Sequence, residues 1–184
     1  MVGSRGSLTA RELSLAALVS PEDVVLHGSI NHVSITVSNL EEAMAFFGPV
    51  LEFLGFRRGE ILSNDSAGTR LTVNINPSNG VALNVWEAKP GLADHAFEVY
   101  EPGLHHVAFN VARREQVDQL HELVTGLGAP ILAGPDEFPY AEDGLGYYAV
   151  YFLGPDRLKL ECVHMPGLER AFREKGPRES QAES

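Results

Sequence analysis

Asn31-His32-Val33-Ser34-Ile35-Thr36-Val37 and His105-His106-Val107-Ala108-Phe109-Asn110-Val111 are two versions of one segment, with His32 and His106 74 positions apart. Both alternate apolar with polar or small residues, the period of a half-buried strand. Each runs straight into a stretch of helical period. The first opens on the capping-box spacing Ser38-Asn39-Leu40-Glu41 and carries Ala43, Phe47, Leu51 and Leu54; the second carries Val117, Leu120, Val124 and Leu127. Both predicted helices end in Leu-Gly, at Leu54-Gly55 and Leu127-Gly128, where glycine suits a left-handed cap. Three strand-like runs follow each helix, at about 57–63, 69–76 and 80–87, then at about 130–134, 146–153 and 157–164. The repeat therefore predicts an α+β fold of two paired β-α-β-β-β modules, about 30–88 and 103–166. A hinge marked by Lys89-Pro90-Gly91 and Glu101-Pro102-Gly103 joins them. Pro49 predicts a kink or break in the first helix near Gly48-Pro49.

Outside the repeat the chain changes character. Residues 1–29 hold Thr9-Ala10-Arg11-Glu12 at capping-box spacing and a second helix start at Ser20-Pro21-Glu22-Asp23, which predicts an N-terminal helical arm. Its apolar face, Leu13, Leu15, Ala16 and Leu18, needs a surface to cover it, which leaves room for a homodimer. Residues 167–184 read as a solvated helix that frays into a disordered tail.

A chain of 184 residues with 44% hydrophobic and 21% charged residues can bury one real core without a disulfide or a structural metal. Fourteen Lys and Arg against 25 Asp and Glu leave a net charge of −11, which repels phosphate backbones and anionic lipid heads. Nucleic acid and membrane surfaces are excluded as partners on that ground, and a small-molecule substrate is the expectation. The single cysteine, Cys162, sits in an apolar strand-like run, and Leu13 to Val19 lacks the flanks of a secretory signal. Both features predict a reducing, cytoplasmic location.

Strand alternation sorts the chemistry. Val33, Ile35 and Val37 share one face of the first strand, and His32, Ser34 and Thr36 share the other. In the second copy His106 goes with Ala108 and Asn110, so it is the twin of His32, whereas His105 faces the opposite way and reads as a packing or hinge residue. In the last strand Leu158, Leu160 and Cys162 form one face and Lys159, Glu161 and Val163 the other. A carboxylate in the middle of such a strand needs a partner. Taken singly, a strand histidine is an ordinary hydrogen-bonded residue and a lone Glu pairs with Lys or Arg. Pseudo-twofold symmetry changes that, because it brings the two first strands to equivalent places. His32, His106 and Glu161 then form a two-His-one-carboxylate set that binds a divalent first-row metal and leaves positions open for substrate. The first-module position equivalent to Glu161 is Asn84, a poor fourth ligand; Glu87 could replace it only through a bulge or a shifted register. The face occupied by Trp86 and by Phe109 stays open at this point. No Gly-rich phosphate loop, serine elbow or zinc cysteine cluster is present in the sequence.

Over about residues 30–166, the duplication together with His32 in Asn-His-Val-Ser-Ile-Thr-Val, His106 in Leu-His-His-Val-Ala-Phe-Asn-Val and Glu161 in Leu-Lys-Leu-Glu-Cys-Val resembles the vicinal oxygen chelate superfamily. That family groups glyoxalases, bleomycin- and fosfomycin-resistance proteins and extradiol dioxygenases. The resemblance implies a curled mixed sheet, a half-barrel, around one metal that chelates two neighbouring oxygens of a small molecule. Tyr151, Pro155 and Glu161 stand at the spacing of the extradiol dioxygenase signature, which implies Fe(II) and a hydrogen-bond-donor role for Tyr151 beside the metal. The signature's histidine is absent from Glu142 to Gly144, and Gly154 and Arg157 replace two of its usual residues. The expectation is a metal-dependent enzyme, with dioxygenation as the leading reaction and Fe(II) as the leading ion before Mn, Zn, Ni or Co. Lewis-acid isomerase, lyase or transferase chemistry, and metal-free sequestration of a toxic small molecule, are the alternatives.

Overall fold

Two separate four-stranded sheets with the same strand order carry the duplication. A computed structural model describes residues 30–139 and 146–167. The expected N-terminal arm, the helix and tail after residue 167, and the stretch from Glu142 to Gly144 lie outside the described residues. The chain divides between Asn31 and His32, and the unit from His32 onward holds both modules. The first module is β1 (His32–Val37), α1 (Leu40–Phe53), β2 (Ile61–Asn64), β3 (Thr69–Ile75) and β4 (Ala82–Glu87). The second is β5 (Val107–Asn110), α2 (Arg114–Gly126), β6 (Ile131–Glu137), β7 (Tyr148–Leu153) and β8 (Lys159–His164). Sheet order is β1-β4-β3-β2 in one and β5-β8-β7-β6 in the other. In each, the first strand runs parallel to the last and the remaining pairs are antiparallel.

Local chemistry explains both helices and two departures from expectation. The cap of α1 is Asn39, one residue later than the predicted Ser38. Asn39 Oδ1 accepts from the Glu42 amide at 3.1 Å and its Nδ2 donates to Glu42 Oε1 at 3.1 Å. The Ser38 amide is already engaged, donating to Asp156 Oδ2 at 2.7 Å. That bond ties the start of α1 to the β7–β8 connection, where Asp156 adopts a left-handed conformation that a short polar side chain tolerates. The predicted break at Pro49 does not occur, and α1 runs through it. Pro49 deprives the Ala45 carbonyl of its partner, but both residues lie on the exposed side of the helix, where water satisfies the carbonyl. The buried stripe of Leu40, Met44, Phe47, Val50 and Leu51 holds the other side, each side chain contributing about 1.5–3 kcal/mol. Gly55 and Gly128 follow the two helices with φ of 82° and 81°, the left-handed caps that the Leu-Gly pairs predict.

One core serves both modules. Ile35, Val37, Leu83 and Val85 from the first sheet, Val150, Phe152, Leu160 and Cys162 from the second, and the buried faces of both helices form a single cluster. Phe109 packs against this cluster, so it belongs to the core side. Trp86 pairs with Thr36 in the β1–β4 ladder and therefore lies on the His32 face. The faces turned away from the core are the ones that carry the candidate chemistry.

Candidate functional site

The ladders fix which residues are twins. Ser34 stands opposite Asn84 in the parallel pair β1–β4, and Ala108 stands opposite Glu161 in the parallel pair β5–β8. Residues opposite one another share a face, so Asn84 and Glu161 are equivalent, as are His32 and His106, two residues before Ser34 and Ala108. The β1–β4 register runs unbroken from His32 to Val37, so no bulge turns Glu87 toward Asn84's place. Glu87 is instead held by Arg70, at 2.7 and 2.6 Å, and Arg70 also grips Glu41 at 2.6 and 2.9 Å. The guanidinium holds both carboxyls below their ordinary range.

In the second module, Glu161 is 1% exposed, and His106 Nε2 approaches its Oε2 to 3.0 Å. The approach lacks hydrogen-bond geometry, and among the described residues Oε2 has no hydrogen-bond partner although it is buried. A buried carboxylate oxygen left in that state is costly. Two donors each about 2.1 Å from one ion, and at right angles around it, lie about 3.0 Å apart. The imidazole nitrogen and the carboxylate oxygen stand at ion-pair distance, and the same separation fits two donors to one divalent cation.

The other carboxylate oxygen is secured from below. Tyr147 donates its hydroxyl to Glu161 Oε1, and the Tyr147 and Tyr151 hydroxyls lie 3.1 Å apart. Burial, and next the bond to Glu161, push the Tyr147 phenol well above its ordinary value, so it stays a proton donor. Tyr151, expected beside the metal, reaches Glu161 through Tyr147. It also meets His106 edge-on, with ring centroids 6.2 Å apart, and carries Lys159 Nζ 4.8 Å above its ring. Tyr147 is not among the residues that the sequence analysis singles out. The signal that finds it is period-two alternation, which sets 147, 149 and 151 on one face with Glu161.

His105 also departs from expectation. Its Nδ1 lies 2.6 Å from His106 Nδ1, so the two rings meet instead of facing opposite ways. Alternation fails there because β5 begins only at Val107. Desolvation, then the charges of Lys159 and His106, hold the His105 imidazole below its ordinary value. Cys162 is fully buried on the core side, where desolvation pushes its thiol up to about 12.

His32 is exposed on the open face of the other sheet. Among the described residues no three His, Cys, Asp or Glu side chains lie close enough to hold one ion. A single chain therefore brings His106 and Glu161 together and leaves His32 apart from them. On His32's face Asn84 Nδ2 donates to Ser34 Oγ at 3.3 Å, and Asn84 Oδ1 is buried without a hydrogen-bond partner. The ladder puts Leu62 and Ile75 on the same face, 50% and 46% exposed.

Comparison with known proteins adds five findings. The family model described as Glyoxalase/Bleomycin resistance protein/Dioxygenase superfamily matches residues 29–162. The uncharacterized protein YqjT of Bacillus subtilis is 31% identical over 134 residues, covering 73% of this chain and 97% of that protein. The crystal structure of a candidate glyoxalase from Bacillus halodurans superposes with a TM-score of 0.60 at 29% identity, covering 75% of this chain and 96% of that one. FosX, the fosfomycin resistance protein of Listeria monocytogenes, superposes with a TM-score of 0.54 over 79% of this chain and 98% of its own. Its identity of 16% speaks for the fold alone. A mutant of FosX was crystallised with Mn(II) and 1S,2S-dihydroxypropylphosphonic acid.

Proposed function

This chain belongs to the Glyoxalase/Bleomycin resistance protein/Dioxygenase superfamily, and from that premise we propose that it is a metal-dependent enzyme acting on a small molecule held through adjacent oxygens. The metal ligands are His106 and Glu161 of one chain and His32 of a second copy. The observation that carries this reading is the buried Glu161 Oε2, which stands 3.0 Å from His106 Nε2 without a hydrogen bond. The second copy is inferred from His32, exposed on the sheet face that also carries the exposed apolar Leu62 and Ile75. Apolar side chains gathered on such a face suit a subunit contact.

A bound divalent ion supplies Lewis-acid polarisation of a substrate oxygen and, as Fe(II), a place for dioxygen beside it. The chain's own residues do the rest. Tyr147 fixes Oε1 of Glu161, which leaves Oε2 for the ion, and Tyr151 anchors Tyr147. Lys159 adds a positive charge on the same face. Isomerase, lyase and epoxide-addition chemistry call for an additional carboxylate base. Asn84 is an amide and Glu87 is committed to Arg70, so dioxygenation with Fe(II) is the preferred reaction, ahead of Mn, Zn, Ni or Co. Metal-free sequestration of a small molecule is the second reading, favoured by the separation of His32 from the other two ligands within one chain. No helix among the described residues is long and apolar enough to cross a membrane; with the buried thiol of Cys162, a cytoplasmic site of action is part of the proposal.

The test is anaerobic purification, elemental analysis and oxygen uptake on a panel of catechols. The proposal expects about one equivalent of metal per chain, lost in His106→Ala and Glu161→Ala, and oxygen uptake by the iron-loaded protein. Metal-free protein that binds a small molecule tightly supports sequestration instead. Metal without oxygen uptake removes the dioxygenase and keeps the metalloenzyme.

A further inference from the structure

Lys159 is the one lysine or arginine on β5, β7 and β8. It opens β8 two residues before Glu161, so the pleat sends both side chains to the same face. Its Nζ stands 4.8 Å above the Tyr151 ring. That ring meets His106 edge-on, and its hydroxyl lies 3.1 Å from that of Tyr147, the donor to Glu161. The half-buried ammonium thus rests on the aromatic ring that borders both proposed ligands of this chain. In a chain of net charge −11 a lysine meets carboxylates readily, yet among the described residues Lys159 forms no ion pair. A ring face steadies an ammonium without neutralising it. Around Tyr151 the surface is apolar: Phe138 meets Tyr151 and Tyr147 at centroid distances of 5.3 and 6.4 Å, and Ala149, Val163 and Met165 complete a cluster apart from the main core. Low-dielectric surroundings strengthen the pull of an uncompensated charge. The first-module twin of Lys159, two residues before Asn84, is Ala82, so the cation stands only on the module that carries the carboxylate.

We propose that Lys159 determines specificity: its ammonium binds a carboxylate on the substrate, so the small molecule taken at the Glu161 centre carries an anionic group besides its two adjacent oxygens. The assignment rests on the proposed metal centre and narrows its substrate class. Charge balance agrees with it. A divalent ion beside the single carboxylate of Glu161 leaves positive charge for the chelating oxygens, and Lys159 adds a further charge that a second anionic group on the same molecule matches.

The experiment uses the full chain loaded with Zn(II), which has no redox chemistry and so reads binding without turnover. The probes are 3,4-dihydroxybenzoate and 3,4-dihydroxyphenylacetate, each against its neutral amide. Each pair keeps the adjacent oxygens and the shape and changes only the charge, and the two pairs differ in reach. Calorimetry gives the ratio of amide Kd to carboxylate Kd for the wild type, Lys159→Met, Lys159→Arg and, as a control for net charge, Lys89→Met. For at least one pair the wild-type ratio should fall about 10- to 100-fold in Lys159→Met, the size of a hydrogen bond to a charged group. Lys159→Arg should keep most of it and Lys89→Met all of it, with one Zn(II) per chain throughout. A ratio that Lys159→Met leaves unchanged for both pairs overturns the proposal. So does an equal loss of affinity for acid and amide, or a Lys89→Met variant that loses as much discrimination. A protein that binds no Zn(II), or that binds none of the four probes when loaded, overturns the metal-chelate reading together with this one; probes bound without charge discrimination overturn the role of Lys159 alone.

Discussion

The two modules share strand order and ladder direction, and their first and last strands pair in equivalent register, yet they spend their carboxylates differently. In the first module Glu41 and Glu87 are paired with Arg70, and the inner position opposite Ser34 is Asn84. In the second, the equivalent inner position is Glu161, nearly inaccessible, gripped by Tyr147 and approached by His106. Duplication copied the backbone and the histidine. The carboxylate beside that histidine stands on one side only. In the proposed centre one rich face and one poor face are both needed, with His106 and Glu161 as two donors and His32 as the third.

The largest expected effect tests how far the modules are one folding unit. Phe47 of α1 and Phe152 of β7 are fully buried in the same cluster. Phe47→Ala should lower stability by about 3–5 kcal/mol and shift a single urea transition monitored in both modules; two separated transitions would break the comparison into independent domains. Next comes the asymmetry itself. Glu161→Gln should weaken metal binding by more than about 100-fold, beyond the usual effect of losing an outer partner, while Asn84→Ala should change it little. Equal losses at the two positions would contradict the assignment of the second module as the ligand-rich one. A smaller effect is expected from Tyr147→Phe, which frees Oε1 of Glu161 and should reduce metal affinity about tenfold; Ser34→Ala, which removes the corresponding hydrogen bond in the first module, should leave it unchanged.

The smallest effect sharpens the same contrast through pH. Glu41 and Glu87 have carboxyls lowered from the ordinary 4.5 by Arg70. A lowered folded value means that the stabilisation is fully present above 4.5 and is lost as pH falls below it through the folded values. Arg70→Met should flatten the stability–pH curve in that acid window and leave it unaltered near neutrality. A slope that persists in the variant would assign the acid sensitivity to other groups.

The repeat made the fold legible because strand and helix periods are local, and both modules obey them from His32 to His164. The alternation argument separated Glu161 from Cys162 correctly, since β8 is a regular strand. It misjudged His105, which precedes β5, where no pleat imposes opposite faces. Tyr147 was within reach of the same alternation but was not singled out, because a phenol's hydrogen-bond partner is set by tertiary distance. Symmetry made His32 and His106 equivalent without saying whether their sheets meet within one chain. The pleat carries no information on that, because it depends on how the shared core orients the modules. The helix through Pro49 was missed for a related reason: the cost of a proline depends on whether the freed carbonyl faces water, which the sequence shows only after the buried stripe is known.

The most direct measurement is metal content after mixing two inactive variants, His32→Ala and Glu161→Ala, under conditions that exchange subunits. Each alone should be metal-poor. In heterodimers isolated from the mixture, one of the two sites combines an intact His106 and Glu161 with an intact His32, so metal should return to one site per dimer. Heterodimers as empty as their parents, or a wild-type protein that takes up no metal, would contradict the account.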